Sequence, residues 1–184
     1  MHDVHVGRAL DPPLTPEGEQ QARALAEHLC TEHIDVAQSS PRRRTRQTAE
    51  EIVRSRDLAL KTEGALDEID NGDWGGVSFA QLAQDRSWQL WNEARDLHSA
   101  GRGESMLDVQ RRIVRHLLEM QRRHAGSVVL LVTHAEVVRS ALLYFLWMPV
   151  ATHSRIEVSP AAIARLHLDD HGCRLVALNE RAAS

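Results

Sequence analysis

A chain of 184 residues with 42% hydrophobic and 26% charged side chains is long enough to bury a real core and too apolar to remain disordered. Its formal net charge of -4 argues against a general polyanion-binding protein, which needs a basic excess. Two cysteines, Cys30 and Cys173, lie far apart with no CxxC pair, which suits reduced thiols in a cytoplasmic protein better than a disulfide framework. The start, MHDVHVGRALDPP, has no apolar leader core, and the runs VVLLV and ALLYFLWMPVA are too short to span a bilayer, so no membrane partner is expected. No repeat or linker divides the sequence, and residues 1–184 read as one domain.

In PLTPEGEQQARALAEHL, Thr15 reads as an N-cap and Pro16 as the first helical residue, and apolar Ala22, Leu25, Ala26 and Leu29 predict a helix over about 16–29. IDVAQSS predicts a short strand over 34–38. It delivers the chain to Ser40 and Pro41, a second cap-plus-proline signal for a helix running through Val53. The first turns of that helix carry Arg42, Arg43, Arg44 and Arg46. A strand near 58–63 leads into LDEIDNGDWGGVS, whose Asn, Gly and Asp content marks an irregular loop. Helical patterns follow at 78–84, 87–98 and 105–123, the last opening at Ser105 with Val109, Ile113, Leu117 and Met120 on one face.

SVVLLVTHAEVVRSALLYFLWM joins a continuous apolar run, the pattern of a strand buried on both sides, through Thr133 and His134 to a helix. His134 and Ser40 thus both follow a strand's carboxyl end, the edge of an open α/β sheet where loops and helix N-termini gather around ligands. AAIARLHL (161–168) and CRLVALN (173–179), joined by DDHG, read as a hairpin.

SSPRRRTRQTAEEI, LDEIDNGDWGGVSFAQL, GESMLDVQRRI and VVLLVTHAEVVRSALLYFLWMP resemble, in that order, successive signatures of the histidine phosphatase (phosphoglycerate mutase-like) superfamily. LDPPLTPEGEQQARALAEHL resembles the segment after that family's N-terminal catalytic motif, so the likeness runs from about Leu10 to Asn179. The resemblance implies an α/β three-layer sandwich, with a mostly parallel central sheet flanked by helices and a helical lid insert at 76–104. It also implies a phosphohistidine mechanism with no cofactor and no metal. Carried over onto this sequence, Arg44 holds the phosphoryl group, Glu68 protonates the leaving oxygen and His134 is the second histidine, with the Ala135 amide as a further phosphate donor. A phosphoryl group in transfer is stabilised mainly by fixed positive charge and N–H donors, which an arginine fork supplies. A carboxylate beside a departing alkoxide must hold a proton near neutral pH, hence have a raised pKa.

The family's nucleophile lies in an Arg-His-Gly motif, and no such triplet occurs here. MHDVHVGRAL begins too late to hold it and the strand before it, so the nucleophile and an arginine partner are missing. Three explanations stand: a fragment or late start site, a natural pseudo-phosphatase, or His2 or His5 acting in place of the absent histidine. In the family that strand lies inside the sheet. Without it two strand edges and much apolar surface would be exposed, so a homodimer or a rearranged core is expected.

Arg42, Arg43 and Arg46 read as solvated helix-face charges complementing Glu50 and Glu51, and no nucleic acid is expected. Asp67, Asp70 and Asp73 crowd the loop of Glu68 and compete for its role. His28, His33, His98, His116 and His124 receive none. HAE at 134–136 lacks the PCxxC of a zinc deaminase, and HDVH at 2–5 offers at most a loose metal contact. Trp88 and Trp91 read as covering the crevice or the core. The expected partner is inorganic phosphate or a small phosphorylated metabolite, with the lid supplying Gln81, Gln84, Arg86, Trp88, Trp91, Asn92, Arg95 and Arg102 for recognition. The short insert favours phosphomonoester hydrolysis. The rivals are a non-catalytic phosphoester-binding module and a phosphoglycerate mutase-type phosphotransferase.

Overall fold

The computed structural model describes residues 4–182. In chain order it contains α1 (Pro16–His28), β1 (Val36–Ser39), α2 (Arg43–Val53), β2 (Leu60–Thr62), α3 (Phe79–Leu82), α4 (Arg86–Glu93), α5 (Met106–Arg123), β3 (Val129–Val132), α6 (Ala135–Phe145), β4 (Ile163–Asp169) and β5 (Gly172–Glu180), with short 3-10 turns between them. The Thr15 hydroxyl accepts the Gly18 amide at 3.1 Å and caps α1 as its sequence predicts. Ser105 and Asp108 cap each other reciprocally at the start of α5.

The parallel sheet has the order β2-β1-β3, with Ala37 of β1 opposite Leu60 on one side and Leu130 on the other. Side chains of β3 alternate between faces. Leu130 and Val132 meet Leu25, Leu29 and Ile52 of α1 and α2, whereas Leu131 meets the larger core built on α5 and α6, with Val109, Ile113, Val137 and Ala141. Helices therefore cover both faces, as expected for a three-layer α/β arrangement. The β4–β5 hairpin is antiparallel and packs on Leu142 and Leu143 of α6.

β3 is not buried on both sides, contrary to its apolar run; all four of its residues are only half-buried. Among the described residues its sole strand neighbour is β1, and β4 pairs only with β5. The two open edges border a cavity of about 730 Å³, walled by Val129–Val132 and Ala162–Leu168 and floored by Leu25, Leu29, Leu117 and Met120. Its lining reaches Arg44, Thr133 and His134. The open edges expected without a further strand are present, and the two strand groups have not re-paired across the gap.

Helix boundaries differ from the sequence reading at several ends, α3 spanning only Phe79–Leu82 of the expected 78–84, and two of the shifts have a visible cause. α2 begins at Arg43, not at Pro41, because Arg42 is still extended (φ -68°, ψ 142°); the Ser40 hydroxyl accepts the Arg42 amide at 3.3 Å and also meets His134. α4 stops at Glu93 rather than 98, where Ala94 leaves helical geometry (φ -147°, ψ 76°).

Candidate functional site

Pairing of Ser39 with Val132 sets the carboxyl ends of β1 and β3 side by side, and the Ser40 amide donates to the Val132 carbonyl at 2.9 Å. Ser40 and His134 therefore meet just beyond the sheet. His134 is 7% exposed and occupies the N-cap of α6. Its Nε2 lies 2.8 Å from Ser40 Oγ and its Nδ1 lies 3.1 Å from Arg44 Nη2. Burial, and then the charge of Arg44, bring its pKa down to about 3, so the ring is neutral. A guanidinium can only donate, so Nδ1 accepts and Nε2 carries the hydrogen. The proton chain is then determined: Nε2–H donates to Ser40 Oγ, and the Ser40 hydroxyl donates to Asp67 Oδ1 at 3.3 Å.

Arg44 enters from the first turn of α2. Its Nη2 is also 3.5 Å from Glu68 Oε2, whereas Nη1 is buried with no hydrogen-bond partner. Glu68 Oε2 stands 3.4 Å from His134 Nδ1, and Oε1 accepts the Ile69 amide at 3.0 Å. Burial raises the Glu68 pKa, against the lowering effect of the Ile69 amide and of Arg44. The loop is held from behind. Arg8 Nε and Arg112 Nη2 both donate to the Glu68 carbonyl, and both arginines also grip Glu104. Gly103 packs so closely on the same loop that a Cβ would collide with the Asp70 carbonyl.

Arg44, Glu68 and His134 thus share one crevice, as the resemblance implies. Ala135 follows as the first residue of α6, exposed, with an amide that has no acceptor within the helix. The reading of Arg42 as a surface charge is corrected. Arg42 Nε and Nη2 donate to the two oxygens of Asp67 at 2.8 and 2.9 Å, and Nη1 reaches the Arg8 carbonyl. Because Arg42 precedes the helix, its side chain turns inward, whereas Arg43 and Arg46 stay exposed. Arg46 faces Glu50 at 3.8 Å, as expected, while Glu51 pairs instead with Arg54.

The acidic loop residues have separate partners: Asp67 with Arg42, Asp73 with Arg102, and Asp70 with the Gly72 amide. His5 packs edge-on against Phe79 and Trp88 at 5.9 and 5.4 Å, and burial lowers its pKa; His2 lies outside the described residues. Trp74 and Trp91 belong to the core, with Trp88 partly buried against them. His116, given no role from the sequence, is buried and pairs with Gln38 Oε1 at 2.7 Å. Sequence reasoning missed Arg8, Arg112, Glu104 and the Ser40 hydroxyl. Only the adjacency of Asp67 to Glu68 and the run of arginines beside Ser40 hinted at the network.

A family model described as the histidine phosphatase superfamily (branch 1) matches residues 2–181. Phosphoserine phosphatase 1 of Hydrogenobacter thermophilus is 30% identical over 172 residues, which are 92% of this chain and 82% of that protein. A probable phosphoglycerate mutase, GpmB, of Salmonella choleraesuis is 30% identical over 159 residues, 85% of this chain and 74% of that one. Among solved structures, YhfR of Bacillus stearothermophilus superposes with a TM-score of 0.90 at 25% identity, covering 96% of this chain and 88% of its own. A mycobacterial glucosyl-3-phosphoglycerate phosphatase in complex with inorganic phosphate superposes with a TM-score of 0.85 at 27% identity, covering 98% and 93%.

Proposed function

The chain belongs to the histidine phosphatase superfamily, branch 1, and from that premise we propose that its crevice binds the phosphoryl group of a small phosphomonoester for hydrolysis through a phosphohistidine. The observation that carries this reading is Arg44 Nη1, a buried cationic donor with no protein partner, beside a neutral His134. Buried donors of this kind are rarely left unpaired, and a phosphoryl oxygen is the acceptor that suits a guanidinium fork. The Ala135 amide, at a helix start, supplies a further donor.

In the proposed reaction a histidine nitrogen bonds to phosphorus as the ester P–O bond breaks. The departing alkoxide takes the proton of Glu68, a carboxyl whose pKa burial raises and which therefore holds its proton to higher pH than an exposed one. Water then attacks phosphorus, giving a proton to Glu68, as the N–P bond breaks to free the histidine nitrogen and inorganic phosphate leaves. Both nitrogens of His134 are already committed, to Ser40 and to Arg44, so His134 serves as holder rather than nucleophile. No Arg-His-Gly triplet, the motif expected to hold the attacking histidine, occurs in the sequence, and impaired turnover is part of this proposal, with His2 or His5 as the alternative attacking group. The same commitment of His134 supports a second reading, a module that binds phosphoesters without turning them over.

The relatives' names, a phosphoserine phosphatase and a phosphoglycerate mutase, favour a small phosphorylated metabolite over a macromolecule, with 76–104 as its lid. The free cysteines suit a cytoplasmic setting. The open edges of β3 and β4 make a homodimer the arrangement to seek by light scattering. The functional test is calorimetry with inorganic phosphate, alongside p-nitrophenyl phosphate hydrolysis by this chain and by a form carrying an N-terminal Arg-His-Gly strand. Phosphate binding that vanishes in Arg44→Ala, with turnover only in the extended form, supports the proposal. Normal turnover by the 184-residue chain would overturn the assignment of a missing nucleophile.

A further inference from the structure

Trp147 follows the last turn of α6 with its backbone in the left-handed region, φ 57°. Its amide donates to the Tyr144 carbonyl at 3.1 Å and the Met148 amide donates to the Leu143 carbonyl at 2.8 Å. Trp147 thus sits just past a helix end, where glycine is the usual residue because a Cβ is disfavoured at positive φ. The indole is 94% exposed, so packing within the chain does not offset that strain. It stands at the rim of an apolar groove of about 560 Å³, walled by Leu107 and Leu118 of α5, Phe145 and Met148 at the end of α6, and Leu168 of β4. Leu107, Leu118 and Tyr144 are themselves exposed. The groove shares only Gln121 and Leu168 with the lining of the cavity between β3 and β4.

The rim carries both signs of charge. Arg111, Arg115 and Arg122 are exposed on α5 at helical spacing beside Leu107 and Leu118. Arg111 meets Asp108 at 3.3 Å, whereas no ion pair engages Arg115 or Arg122 among the described residues. On the hairpin, Asp169 lines the groove and Asp170 accepts from Gln121 Nε2 at 3.2 Å.

An aromatic anchor beside a groove, and a basic ridge beside an acidic corner, make this face complementary to itself. We propose that it is an isologous interface with a second copy of this chain. Each Trp147 lies in the other copy's groove, and the Asp169–Asp170 turn of one copy faces Arg115 and Arg122 of the other. Covering an aromatic side chain buries about 150–250 Å². The two Trp147 side chains therefore supply about 300–500 Å² of the about 1,200–2,000 Å² in a stable interface, and Leu107, Leu118 and Tyr144 of both copies extend it. Two aspartates at the rim and a net charge of -4 favour another copy over an anionic lipid surface. The interface involves neither Arg44 nor His134 and stands apart from the phosphate-binding reading.

The test is sedimentation velocity of the 184-residue chain over a concentration series, with tryptophan emission read alongside. Trp74 and Trp91 are buried and Trp88 is half-buried, so Trp147 is the exposed indole, and its emission should move to shorter wavelength as protein concentration rises. Trp147→Gly suits the positive φ and keeps the fold, and it should raise the dimer dissociation constant about thirtyfold or more, the scale of a tryptophan hot spot. A chain carrying Arg115→Glu and Arg122→Glu, and another carrying Asp169→Lys and Asp170→Lys, should each be monomeric alone and should pair when mixed. A wild type that stays monomeric, a dimer that Trp147→Gly leaves intact, or charge-reversed chains that do not pair on mixing would each overturn the proposal. So would emission that shifts on phosphatidylserine vesicles but not with protein concentration, which marks a lipid surface as the occupant.

Discussion

Arg42→Ala is the substitution for which the sequence and the structure give opposite expectations. Read from the sequence, Arg42 is one of four arginines in five positions, and its loss would pass unnoticed. In the structure it forms a two-pronged pair with Asp67, whose side chain is only 9% exposed. Deleting one partner of a buried ion pair costs about 3–5 kcal/mol. Arg42 keeps 22% of its side chain exposed, and Asp67 retains the Ser40 hydroxyl, the Glu68 amide and Arg8 at 3.5 Å. A loss of about 2–3 kcal/mol is therefore expected. At this chain length that corresponds to a Tm lower by about 4–12 °C. Arg43→Ala and Arg46→Ala, on exposed side chains, should stay within about 0.5 kcal/mol of wild type. Arg42→Lys should fall between, because an ammonium cannot span both carboxylate oxygens. Thermal and urea unfolding of the four variants decides the matter, and an Arg42→Ala variant as stable as Arg43→Ala would refute the buried-pair argument.

Ser40→Ala leaves His134 Nε2–H without its acceptor and Asp67 without one donor, so a loss of about 1–3 kcal/mol is expected in urea unfolding. It should also weaken inorganic phosphate binding, because the His134 ring loses its anchor. Glu180, paired with Arg165 and His28, has its pKa lowered to about 2. A depressed carboxylate pKa contributes stability above the ordinary value that is lost as pH falls. Unfolding between about pH 4.5 and pH 2 should therefore steepen, and Glu180→Gln should flatten that limb. Gly103→Ala should lower stability by pushing the Asp70 loop away, read as a Tm decrease together with weaker phosphate binding.

Most of the architecture was legible because it is written in local signals. The Thr15–Pro16 start of α1, the Ser105 cap of α5 and the alternation of Leu130, Leu131 and Val132 each follow from rules that act within a few residues. Ser40 with Pro41 carried an equally good local signal, yet the helix starts two residues later: the Ser40 hydroxyl accepts the Arg42 amide and also the ring N–H of a tertiary partner, His134, while Arg42 stays extended. Arg44, Glu68 and His134 could be named in advance only through the resemblance, since locally each looks like a helix charge, a loop carboxylate and a strand-end histidine. Arg8 and Arg112 were out of reach: they are 60 and 44 residues from Glu68, and what they bind is a backbone carbonyl, which has no sequence signature. The half-burial of β3 was also hidden, because VVLLV reports how apolar a strand is and not whether its second edge is paired.

Charge accounting around the crevice leaves Arg44, rather than its neighbours, without a compensating charge. Arg42 is matched by Asp67, and Arg8 and Arg112 share Glu104. Arg44 has a neutral imidazole at 3.1 Å and, at 3.5 Å, a carboxyl whose pKa burial raises. While Glu68 keeps its proton the charge of Arg44 is uncompensated; once Glu68 ionises, the two neutralise each other and a bound anion gains a like-charged neighbour. At an effective dielectric constant of about 20, a new charge about 4–5 Å away is worth roughly 3–4 kcal/mol. Anion affinity should thus fall by about tenfold or more as pH rises through the Glu68 pKa. Sulfate is the probe, because its charge stays constant where phosphate itself titrates, and His134 does not interfere, being neutral well above about pH 3. Glu68→Gln should bind sulfate with a flat pH profile. By linkage the folded state holds the Glu68 proton more tightly than the unfolded chain does, so its contribution to stability is present at low pH and lost as pH rises through the folded value. Glu68→Gln should consequently match the wild type in acid and exceed it in stability once pH has risen through the folded Glu68 value. Sulfate affinity that is flat in the wild type, or a slope that survives Glu68→Gln, would show that the proton on Glu68 does not control the charge of Arg44.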